Sequence, residues 1–163
     1  MSTARLPSCP PVSADGHSQP ALPPALVLDT NVVLDWLVFR NPCCRALARE
    51  VASGGVRWLA SAAMRCELAH VLSRGVVDRY ATDPSPVWAF WTRHAVELAD
   101  PPAIDLPRRL RCTDPDDQKF IDFALSHRTR WLLSRDKAVL KLAKRARLLG
   151  LIIVKPEDWS PSF

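Results

Sequence analysis

Residues 25–37 read ALVLDTNVVLDWL, and the break in the middle of this stretch decides how the rest of the chain is read. Four apolar residues, Ala25, Leu26, Val27 and Leu28, run straight into Asp29, Thr30 and Asn31 before apolar residues resume at Val32. A short, wholly apolar run is the pattern of a strand buried on both faces. A carboxylate at the end of such a strand lies where open parallel sheets bind ligands, outside the carboxyl ends of the strands. Asp29 therefore needs partners. Three acids further along, Glu67, Asp117 and Asp136, stand beside apolar sequence that favours a neutral residue.

Outward from that stretch, apolar runs of strand length recur at residues 56–60, 131–134 and 151–154. Helical patterns lie between them, over residues 31–38, 43–52, 61–74, 76–81, 87–98 and 137–149. A further helix is expected to open with Asp114 as N-cap, Pro115 at the first position and Asp116 and Asp117 in the first turn. Gly54, Gly75 and Gly150 follow helical segments as stop signals, and Pro42 and the run Asp83-Pro84-Ser85-Pro86 break the chain between others. Near-continuous apolar strands alternating with helices predict an α/β fold of three layers, with a central, mostly parallel sheet of four to five strands. There are no internal repeats.

The first 24 residues differ in composition. Six of the fifteen prolines fall there, with four serines and few large apolar side chains. Such a segment cannot bury enough surface to offset its ordering entropy, so it is expected to be a disordered extension. The folded domain is expected over residues 25–159, with residues 160–163 as a tail. A chain of 163 residues has room for one domain with a proper core. A net charge of +5 suits an anionic partner. Five cysteines (Cys9, Cys43, Cys44, Cys66, Cys112) are an odd set without CxxC spacing, which fits neither a disulfide framework nor a zinc site. Cys43 and Cys44 are expected to pack as small apolar residues. No apolar run reaches the roughly 18 residues of a membrane span, and the first residues lack a signal-peptide pattern. The expected setting is the cytoplasm.

In SAAMRCELAHVLSR, Met64, Leu68 and Val71 line one helical face, and Glu67 lies roughly 60° round from Met64 on its edge. An ion pair to Arg65, Arg74 or a neighbouring element would explain it structurally; ligation would explain it functionally. Asp117 falls where a capping acid reaches back to its own helix start. Asp136 follows the strand residues WLLS and would also cap the next helix. Two like charges ~6 Å apart repel by roughly 3 kcal/mol at an effective dielectric near 20. A cluster of four carboxylates must therefore take up protons or hold a divalent cation. All-oxygen ligands point to Mg²⁺ or Mn²⁺ rather than zinc. Residues 108–147 carry twelve Lys and Arg against five acids. Lys137, Lys141, Lys144 and Arg145 recur at i, i+4, i+7 and i+8, a basic stripe that is either a solvated helix face or a track for a phosphate backbone.

Four segments, VLDTNVVL, MRCELAHVL, DPDDQKFIDFAL and WLLSRDKAVLKLAKRARLLGLIIVKPEDW, in this order and at these separations, resemble the PIN-domain family over residues 25–159. That family includes the metal-dependent ribonucleases of VapC-like toxin–antitoxin pairs, and the DxDD pattern resembles its putative-toxin subgroup. The resemblance implies that Asp29, Glu67, Asp117 and Asp136 form the acidic quartet that is both catalytic and metal-binding, with Asn31 the polar neighbour of the first acid. Ser134 marks the end of its strand beside them, and Asp114 and Asp116 are extra acids. The implied activity is Mg²⁺- or Mn²⁺-dependent hydrolysis of RNA, with an antitoxin partner and a homodimer. The helix bearing Trp88 and Trp91 is a candidate dimer face, although a buried monomer core would leave the same sequence trace. The Pro-rich start departs from the family pattern. A second reading keeps the fold but leaves the acids empty, as a catalytically silent module binding RNA or antitoxin. A phosphohydrolase of the haloacid-dehalogenase type would need an acid where Asn31 stands. Dinucleotide binding would need a glycine-rich turn after the first strand.

Overall fold

A computed structural model gives the structure of the chain over residues 22–74, 83–102 and 110–162. The proposed disorder of the N-terminal extension and the helix expected at residues 76–81 lie almost wholly outside the described residues.

The first strand, β1 (Ala25–Leu28), has all four residues buried. Successive strand side chains point to opposite faces, so β1 is covered on both. Asp29 begins α1 (Thr30–Leu37). A 3₁₀ turn (Pro42–Cys44) leads into α2 (Arg45–Ser53), which ends on Gly54 in the left-handed conformation at φ 76°. Next come β2 (Arg57–Ser61) and α3 (Ala62–Ser73), whose N-cap Ser61 accepts a hydrogen bond from the Met64 amide. After residue 83 follow α4 (Ser85–His94), β3 (Ala95–Leu98), α5 (Gln118–Ser126) and β4 (Trp131–Leu133). The chain closes with α6 (Lys137–Leu140), α7 (Ala143–Arg147), β5 (Ile152–Val154) and a 3₁₀ turn (Pro156–Asp158).

The five strands form one parallel sheet in the order β3-β2-β1-β4-β5. From β1 the chain builds outward through β2 to β3, then returns to lay β4 on the other side. The order reverses between β1 and β4, which is where such sheets open a crevice. Trp58, Trp131, Phe120, Phe123, Leu26 and Leu132 are among the fully buried side chains of the core. No helix among the described residues is long and apolar enough to cross a membrane.

Three expectations change. The helix expected over 87–98 stops at His94, and residues 95–98 are a strand. Ala95 turns extended at φ −82°, ψ 130°, and pairing with Trp58–Ser61 of β2 outweighs the helical reading of an apolar segment that fits either period. The acid-rich run before α5 is a turn, so the helix starts at Gln118 and not at Pro115. The single helix expected over 137–149 is two short ones. Lys141 and Leu142 interrupt it where the Leu142 amide bonds the Val139 carbonyl three residues back, at 3.0 Å. That tightening buries Val139, Leu142 and Ala146 together. Lys137, Lys141, Lys144 and Arg145 all stay exposed, but no continuous helix sets their spacing.

Candidate active site

Asp29 extends the β1–β4 ladder by one bond, its amide donating to the Leu133 carbonyl at 3.0 Å. Its backbone is extended, so the carboxylate turns back to cap α1 and accepts from the Asn31 amide. The Asn31 side-chain amide donates to Asp29 Oδ2 at 2.9 Å, and the Ser134 hydroxyl donates to the same oxygen. Asp29 is only 3 % exposed. Burial raises its carboxyl above the ordinary value; the bonds from Ser134 and Asn31 pull it back, and Glu67 adds repulsion.

Ser134 joins the two strand ends. While its hydrogen goes to Asp29, its oxygen accepts from the Asp136 amide at 2.9 Å. Asp136 Oδ1 in turn caps α6, accepting from the Ala138 amide at 2.6 Å. Asn31 Oδ1 accepts from the Arg135 amide at 3.1 Å, so the first turn of α1 is tied to the loop after β4. Asp29 and Asp136 therefore emerge at the same carboxyl edge of adjacent strands.

Asp117 immediately precedes α5 but makes no capping bond with its side chain. The capping-box expectation is replaced: the Asp114 carboxylate caps the turn, taking the Asp116 amide at 2.9 Å, and Asp114 and Asp116 are both exposed. Half-buried Asp117 is left free to face the other acids. Its carboxyl is pushed up to about 7, first by burial and then by the charges of Asp29, Asp136, Asp114 and Glu67. Gln118 fixes the approach. Its side chain takes the Cys112 amide and donates to the Leu110 carbonyl, each at 2.7 Å, and to Asp122 at 2.8 Å.

Glu67 on α3 pairs with Lys119 of α5, a neighbouring element, whereas Arg65 pairs with Glu97 at 3.0 Å. Thus Asp117 lies within electrostatic reach of the other three acids, and Asp29 within reach of Glu67. They are not drawn into a ready-made cage: among the described residues no group of three or more His, Cys, Asp or Glu is placed to hold a metal ion. The donor set still fits Mg²⁺ or Mn²⁺. These hard cations keep several waters and bind through one or two carboxylates, and a cation would relieve the repulsion that the neighbouring acids add to the effect of burial at Asp117.

Sequence reasoning passed over Lys119, Arg135 and Asp35. Arg135 pairs with Asp35 of α1 and with Glu157, and donates to Cys43 Sγ at 2.8 Å. Cys43 is therefore a polar partner as well as packing, while Cys44 is the buried member of the pair. The available signal for Lys119 was a lysine in the first turn of a helix, where the dipole disfavours positive charge. On α4, Trp91 is spent on the monomer core: its ring packs on Trp58 at 4.8 Å and its indole N–H donates to Glu97 at 2.7 Å. Trp88 and Phe90 of the same helix are half-buried.

A family profile described as PIN domain matches residues 25–138. No curated protein matches the chain significantly. Among solved structures, the chain is similar to the crystal structure of VapBC2 from Rickettsia felis bound to a DNA fragment from their promoter. The TM-score is 0.55 and the identity 14%, over 79% of this chain and 96% of that one. At that identity the likeness is one of fold.

Proposed function

This chain belongs to the PIN-domain family, and on that premise we propose that it is a metal-dependent endoribonuclease, the toxin of a toxin–antitoxin pair. The observation that supports the reading is the Ser134 bridge, which ties the Asp29 carboxylate to the Asp136 backbone at the sheet's switch point, while the Asp117 carboxyl is raised to about 7, first by burial and then by the charges of the neighbouring acids. Asp29, Glu67, Asp117 and Asp136 would hold Mg²⁺ or Mn²⁺, whose chemistry is to acidify a bound water and stabilise the leaving oxygen of a phosphodiester. Asn31 and Ser134 orient the Asp29 carboxylate. Gln118 holds the segment that presents Asp117. Exposed Lys137, Lys141, Lys144 and Arg145 would meet the RNA backbone.

An antitoxin partner is proposed because the similar solved structure is that of VapBC2. A cytoplasmic setting and a homodimer complete the proposal. Its test uses labelled RNA with Mg²⁺ or Mn²⁺ against EDTA. Cleavage should require the ion and be lost in Asp29→Asn; equal cleavage by that variant removes the proposed site. One observation favours a second reading, a catalytically silent module that binds RNA or antitoxin: the acids are not gathered at coordination spacing. In that case RNA affinity falls steeply with salt while no metal-dependent cleavage appears.

A further inference from the structure

Lys119 stands among the acids, at the start of α5. Its ammonium contacts the Glu67 carboxylate and also donates to the Asp116 carbonyl at 2.5 Å, so one side chain bridges α3 and the entry to α5. Among the described residues it is the one cation paired with any of the four acids. The position is unfavourable on local grounds, since the first turn of a helix repels positive charge. The Glu67 carboxylate and the Asp116 carbonyl make it a good place for an ammonium. The Lys119 side chain is 28% exposed, so it has solvent to move into, and its four-carbon stem is a flexible carrier for a point charge.

We propose that Lys119 is a resident counter-cation that competes with the divalent ion for Glu67 and thereby sets how tightly the site holds metal. In the metal-free protein the ammonium offsets the charge of Glu67. A divalent ion that takes Glu67 must displace it, so the ion binds against the ion pair already present. This arrangement weakens metal binding by design of the sequence, and truncating Lys119 should therefore strengthen it. A merely structural ion pair predicts the opposite: loss of Lys119 would let Glu67 wander and leave metal affinity unchanged or reduced.

The inference rests on the nuclease reading above, and one experiment separates their failures. The full chain, stripped with EDTA and dialysed, is titrated calorimetrically with Mn²⁺ as wild type, Lys119→Met, Lys119→Gln and Arg65→Met. Arg65 is the control, a cation on α3 two residues from Glu67 that is paired instead with Glu97. Removing a unit charge within a few ångströms of the ion should tighten Mn²⁺ binding about tenfold in both Lys119 variants. The Arg65 variant should change by less than about twofold, because its exposed charge is screened. Thermal melts establish that each variant is folded. Unchanged or weaker Mn²⁺ binding in both folded Lys119 variants, with the wild type binding saturably, overturns the competition and leaves the nuclease reading standing. No saturable heat from any protein, wild type included, sinks that reading and the competition with it.

Discussion

Replacing Ser134 with alanine should damage this protein more than any other single-atom deletion near the site. The hydroxyl is fully buried, donates to Asp29 Oδ2 and accepts from the Asp136 amide at 2.9 Å. Alanine takes away both bonds and offers nothing in return. Loss of a hydrogen bond to a charged acceptor costs roughly 1.5–3 kcal/mol, and an orphaned amide about 1 kcal/mol or more. The expected loss is therefore about 2–4 kcal/mol, or very roughly 5–12 °C in melting temperature for a chain of this size. Urea unfolding at pH 7 in EDTA, followed by tryptophan fluorescence, measures it: the midpoint falls while the slope stays constant. Ser73→Ala is the matched control, because that hydroxyl is exposed and bonds only the His70 carbonyl of its own helix. It should cost less than about 0.5 kcal/mol. Because the Ser134 bond is the largest influence pulling the Asp29 carboxyl down, the Ser134→Ala penalty should shrink as Asp29 takes up its proton at lower pH. A Ser134→Ala midpoint indistinguishable from wild type would refute the bridge.

Asp117 gives a pH prediction with a definite sign. Its folded-state carboxyl, raised to about 7 against an ordinary 3.8, binds a proton more tightly than in the unfolded chain, so stability should fall as pH rises from about 4 to about 7. Asp117→Asn should flatten that slope and stabilise the metal-free protein near pH 8 by about 1–2 kcal/mol once solvent screening is allowed for; denaturant midpoints across pH 4.5–8 in EDTA decide it. Phe123→Ala, at a position 0% exposed, should cost about 3–5 kcal/mol by the same unfolding assay. Gly54→Ala should cost about 1 kcal/mol from backbone strain, since φ is +76° and nothing lies within 4 Å of the added methyl.

The strands that frame the site could be read from the chain because each is a short apolar run ended by a polar residue. Leu28-Asp29 and Leu133-Ser134 carry that signal in one step. β3 could not be read this way. Its AVEL is half-exposed and continuous with α4, and only the presence of β2 beside it selects the extended form. Asp29 and Asp136 were legible as acids at strand ends. The relation between them was not, because the Ser134 bridge spans residues 105 apart in sequence. Asp117 was named among the four acids, but local rules left a capping role open for it, since the DPDD run contains more acids than a helix start can use and only the folded turn shows that Asp114 caps it. Lys119 was legible only as a cation out of place. The two-part ending of the basic region followed from burial of Leu142, which a helical count of lysines does not see.

Asp29, Glu67, Asp117 and Asp136, from distant parts of the chain, are proposed to hold one or two divalent ions between them. The most direct test of that proposal is an anomalous-difference map from crystals soaked in Mn²⁺. A peak bridging Asp29 and at least one of Glu67, Asp117 and Asp136 at metal–oxygen distance is expected. A map with Mn²⁺ bound elsewhere and none among these carboxylates would contradict it.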